Sequence, residues 1–123
     1  MFVTGAAWLV ADQLKQGDRA DLWQTTGAYL LMIHGGAAML MLMLIGALVP
    51  VHLLRCWRAR KNRLSGSAMA TANAVLIVTA FGLYYAGSDA IRPWMSVVHM
   101  WFGLALPILI AVHIVLGRRS GPS

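Results

Sequence analysis

Three blocks of this chain, about residues 27–54, 67–87 and 94–117, contain no Asp, Glu, Lys or Arg. Each is about twenty residues or longer, which is what an α-helix needs to cross the roughly 30 Å hydrocarbon core of a bilayer. No other feature constrains the fold as tightly, because in lipid every backbone N–H and C=O must find its partner inside the segment. The sequence therefore predicts an all-α, integral membrane helical bundle forming one transmembrane domain over residues 1–123. It comprises three full transmembrane helices and, in segment 1–22, a short N-terminal half-helix or interfacial helix. The opening MFVTGAAWLVADQL has too few apolar residues to span, and it has neither a basic n-region nor a small-residue cleavage site. It reads as a half-helix, an interfacial helix, or the tail of a longer spanning helix.

Charge then orients the spans. The net charge of +6 does not point to nucleic acid, because seven of the ten basic residues lie in two short runs beside apolar blocks. Arg55, Arg58, Arg60, Lys61 and Arg63 fill the first link without an acid, and Arg118 and Arg119 close the last block. By the positive-inside rule both runs are expected in the cytoplasm. The link GSDAIRPW balances Asp89 against Arg92, and the N-terminal segment sets Asp12, Asp18 and Asp21 against Lys15 and Arg19. The expected topology is a multi-pass membrane protein with its N-terminus outside and its C-terminus in the cytoplasm. The first and third spans then run in the same direction. Short links make sequential helices antiparallel neighbours.

All four histidines fall on those two spans: His34 and His52 on the first, His99 and His113 on the third. At 100° per residue, a spacing of eighteen is five whole turns and a spacing of fourteen is about 40° short of four turns. Each pair therefore shares a helix face. With parallel helices, His34 and His99 lie towards the outer surface, and His52 and His113 towards the inner one. Ionisable groups within a membrane span are expensive and mark functional sites. The histidines on one helix are roughly 21 to 27 Å apart, so the four cannot share one zinc or copper ion. Each level offers two imidazoles, which is the axial ligation of a low-spin b-type haem iron. The bland alternative is that they are hydrogen-bonding core residues.

Smaller features fit the same reading. Ala38 and Gly103 stand one turn below His34 and His99, where a flat macrocycle needs small neighbours. Ordinary helix packing uses small residues in the same way. Met41, Ile45, Leu48, Leu106 and Ile110 form a dry partition between the levels. Candidate donors for haem propionates are Arg92, Trp94 and the Tyr84–Tyr85 pair outside, and Arg55, Arg58 and Asn62 inside. These arginines and aromatics are equally the residues that set topology and anchor at interfaces. Thr71 and Asn73 are expected to face the bundle. Fourteen and eighteen differ by about one turn, or 6 Å, so the inner pair meets only if tilt or a kink at Pro50 or Pro107 absorbs the difference.

The stretch HMWFGLALPILIAVH, with IHGGAAMLMLMLIGALVPVH as its partner, resembles the haem helices of small bacterial membrane cytochromes b. These include the cytochrome b-561 type and the gamma subunits of formate dehydrogenases and hydrogenases. The resemblance covers about residues 27–119. It implies two haems b with His34, His52, His99 and His113 as iron ligands, and electron transfer between quinone and a partner redox protein. Partners of that kind are other membrane or periplasmic redox subunits, such as a c-type cytochrome or a dehydrogenase subunit. Those relatives are usually four-helix bundles, and some draw ligands from the first helix, which here has no histidine.

Several functions are disfavoured. No extramembrane segment is large enough to oxidise a substrate, and no nucleotide-binding motif is present, so no catalytic residue is assigned. The single cysteine, Cys56, excludes an intrachain disulfide and a Cys-based metal cluster within the chain, and Cys-x-x-Cys-His for covalent haem is absent. A proton relay lacks membrane-buried carboxylates. The alternative that stands is a structural or assembly subunit without haem, or with one haem only.

Overall fold

The computed structural model describes residues 1–16, 19–59 and 62–119. Asp18, Arg60 and Lys61, which entered the topology argument, lie outside the described residues. The described residues form five α-helices and no strand: α1 (Phe2–Leu14), α2 (Ala20–Leu48), α3 (Leu54–Arg58), α4 (Arg63–Tyr85) and α5 (Arg92–Arg119). Val49–Leu53 forms a π turn that joins α2 to α3, so one helical run extends from Ala20 to Arg58. Three runs, Ala20–Arg58, Arg63–Tyr85 and Arg92–Arg119, are long and apolar enough to cross a membrane. The expected spans are present, and every end except the C-terminal end of the second extends further. The extra turns carry Trp23, Gln24, Arg55, Trp57, Arg118 and Arg119, polar or amphipathic residues suited to the headgroup region. The N-terminal segment contains one helix, α1, of thirteen residues.

The chain divides into two compact units, Met1–Val51 and His52–Ser123. In the first, α1 lies antiparallel along part of α2, as the contacts Thr4–His34 and Lys15–Gly27 require. In the second, α4 and α5 form an antiparallel hairpin. Among the described residues no large apolar side chain is buried and most are exposed, Met43 by 71% and Phe81 by 66%. The buried positions among them are small: Ala11 and Gly27 in the first unit, Ala72 and Thr79 in the second. That inversion suits lipid, where association depends on close backbone approach rather than on hiding apolar surface from water.

Local sequence explains the irregular points. Pro50 cannot donate to the carbonyl four residues earlier and its ring crowds that group. The backbone there switches to the wider i→i+5 pattern, a device found often at functional sites. Asn62 starts α4 from a left-handed conformation, φ 48°, which Asn tolerates better than most residues. Pro93 sits in the first turn of α5, where its missing N–H costs nothing, and Arg118 and Arg119 complement the dipole at the other end. Asn73 does not reach across the hairpin: its amide donates to Met69 O of its own helix at 2.8 Å. Thr71 is exposed rather than turned into the bundle.

Candidate functional site

Each histidine is held by a short, specific set of neighbours. His34 on α2 is half-buried against α1, its Nδ1 3.0 Å from Thr4 Oγ1 and 3.1 Å from the Met1 carbonyl. α1 comes this close because residue 5 is glycine. A Cβ there would stand 3.3 Å from His34 Cε1 and 3.5 Å from Nδ1. His99 on α5 places Nδ1 3.0 Å from Thr79 Oγ1, which is 7% exposed within α4. Towards the other end of the hairpin, His113 Nδ1 lies 3.1 Å from Ser65 Oγ.

His52, in the π turn, meets His113. Their ring centroids are 6.2 Å apart with the planes at 81°. The Nδ1 of His52 faces Cys56 Sγ, four residues on, at 3.9 Å. The one-turn mismatch between the spacings of eighteen and fourteen therefore does not keep the two rings apart. His52 itself lies in the π turn, which packs more residues into a turn than an α-helix does. Pro107, the other suspected kink, lies inside a helix that continues through it.

Two imidazoles bound through nitrogen at about 2.0–2.1 Å to one metal atom have centroids roughly 6 Å apart. The His52–His113 spacing matches that requirement, and the Nδ1 atoms of both rings are engaged elsewhere. Among the described residues no group of three or more His, Cys, Asp and Glu is placed to hold a metal ion. His34 belongs to the first unit and His99 to the second, and each is described within its own unit.

The remaining candidates take up varied places. Gly103 lies against α4, a Cβ at that position being 4.0 Å from Leu76 Cδ2, so its small size serves the hairpin contact. Ala38 is half-exposed on α2. Arg92 is exposed at the start of α5, with Trp94 and the Tyr84–Tyr85 pair exposed at the same end of the hairpin. Arg55 and Arg58 are exposed on α3. Asn62 sits beside Gly117, one turn beyond His113, its Nδ2 3.7 Å from where a Cβ would stand. Arg63, in contrast, is committed locally: it donates to Trp57 O at 2.9 and 3.2 Å and stacks on that ring.

Sequence reasoning missed Thr4, Ser65 and Thr79. A signal for two of them was present. Ser65 and Thr79 are fourteen residues apart, the same spacing as His99 and His113, on the helix antiparallel to theirs. Compared with models of protein families, with curated proteins and with solved structures, the chain matches none.

Proposed function

We propose that this chain is a membrane-embedded b-type cytochrome subunit that passes electrons between a quinone and a redox partner protein through two bis-histidine haems. The observation that carries the proposal is His52 against His113 at 6.2 Å, two imidazoles from different helices at the spacing one iron atom requires. Haem b, when bound, supplies a reversible one-electron couple. The chain's own residues do the rest. His52 and His113 would hold one iron; His34 and His99, paired by the sequence argument, would hold the second. Arg92 at one end, and Arg55, Arg58 and Asn62 at the other, would neutralise propionates. The bilayer and the apolar helix surface would exclude water from each centre, and nearby charge would tune the potential.

The setting proposed with it is a bacterial inner membrane, with periplasmic N-terminus and cytoplasmic C-terminus. Any substrate chemistry would reside on a partner subunit. A second reading has one specific observation in its favour. The Thr79–His99 and Ser65–His113 contacts tie α4 to α5, which is what histidines in a structural or assembly subunit without haem would do.

A spectrum decides between them. Protein purified in mild detergent from haem-replete cells should be red, with a reduced-minus-oxidised α-band of haem b and two haems per chain. His52→Ala and His113→Ala should each lower the count to one. A colourless preparation refutes the cytochrome reading. Two haems retained in both variants would refute the pairing.

A further inference from the structure

Three of the four histidines meet the same device. A hydroxyl on a neighbouring helix approaches Nδ1 after its own proton has been given to a backbone carbonyl. Thr79 Oγ1 donates to Val75 O at 2.7 Å, and Thr4 Oγ1 donates to Met1 O at 2.8 Å. Ser65 Oγ donates to Asn62 O across a longer 3.3 Å. A hydroxyl has one proton, so once that is committed the oxygen can only accept from the ring nitrogen facing it. At His34 the logic is doubled, because Nδ1 also lies 3.1 Å from the Met1 carbonyl, which cannot donate at all.

We infer that Thr4, Ser65 and Thr79 are positioning residues that hold His34, His113 and His99 as the Nδ1–H tautomer. In a neutral imidazole the lone pair is then on Nε2, and that nitrogen becomes the one able to bind a metal. Hydrogen bonding of the non-ligating nitrogen is what fixes ring orientation and raises basicity at metal-binding histidines. His52 stands apart: its Nδ1 faces the thiol of Cys56 at 3.9 Å, a weak partner on its own helical run. The four positions therefore divide into three locked rings and one adaptable ring. The metal-binding part of this inference rests on the proposed haem function, whereas the tautomer assignment does not.

Two measurements on the full-length protein separate them. Side-chain 15N shifts of the histidines in haem-free protein report the tautomer directly. His34, His99 and His113 should carry the proton on Nδ1. Thr79→Val, which keeps the shape but removes the acceptor, should change His99 alone, and Thr79→Ser should restore it. Protonation of His99 on Nε2 only, in the unmodified protein, overturns the assignment. In haem-loaded protein, Thr79→Val should weaken haem retention roughly 10–100-fold and shift the midpoint potential, with Thr79→Ser close to the original. Unchanged retention and potential in Thr79→Val overturn the positioning role. Failure to bind haem at all, with the tautomers as stated, sinks the cytochrome reading and leaves the lock standing.

Discussion

Replacing Gly5 with Leu tests how closely α1 is fitted to His34. A Cβ at residue 5 would already stand 3.3 Å from His34 Cε1, inside the 3.5–4.0 Å optimum for carbon contacts. An alanine asks the ring to move by a few tenths of an ångström, and the bonds of Nδ1 to Thr4 and Met1, at 3.0 and 3.1 Å, stretch without breaking. Against that small cost, Gly→Ala in a helix gains about 1 kcal/mol of propensity. Gly5→Ala should thus leave stability within about 1 kcal/mol of the original. A leucine adds three more carbons in the same direction, and the ring has to swing out. Overpacking then costs about 1–3 kcal/mol, and an unsatisfied Nδ1–H a similar amount, offset by less than about 1 kcal/mol of propensity. Gly5→Leu should lower the thermal midpoint in detergent by several degrees and displace the His34 15N resonances, while leaving those of His99 and His113 in place. Wild-type stability and an unmoved His34 resonance in Gly5→Leu would refute the close fit of α1.

Two other expectations rest on single residues. Cys56, half-buried beside His52 on the run that ends at Arg58, should react with a membrane-impermeant maleimide in inverted vesicles and not in intact spheroplasts; labelling from the outside would reverse the proposed orientation. Asn62 holds φ 48°, so Asn62→Val should destabilise the α4–α5 unit by about 1–2 kcal/mol whereas Asn62→Gly should be tolerated, as thermal unfolding would show.

The features legible in the sequence are those set by solvent. Long uncharged blocks can be satisfied in lipid only as helices, so α2, α4 and α5 follow from composition alone. The blocks are shorter than the helices because charged residues such as Asp21 and Arg55 end an apolar block without ending a helix. A phase of 100° per residue holds along regular helix only, and His52 lies in a π turn. Pro50 hints at such a turn without specifying its width. Asn73 has the chemistry to bond across helices, yet the carbonyl four residues earlier on its own helix is within easier reach of its short amide. Thr79 and Ser65 look like small packing residues, since a hydroxyl that bonds its own helix leaves no mark in hydropathy. Only the pairing of two equal spacings on adjacent helices gives them away.

That equality has a consequence for how the sequence can vary. Ser65 and Thr79 ascend α4 as His99 and His113 descend α5, so both contacts survive only while the two intervals stay equal. A residue inserted into one interval alone would rotate one partner by about 100° and break a contact. Length changes in this hairpin should therefore occur as matched pairs, one on each helix. The recognisable signature is two hydroxyls fourteen residues apart, followed by two histidines with the same gap, whatever apolar residues lie between them.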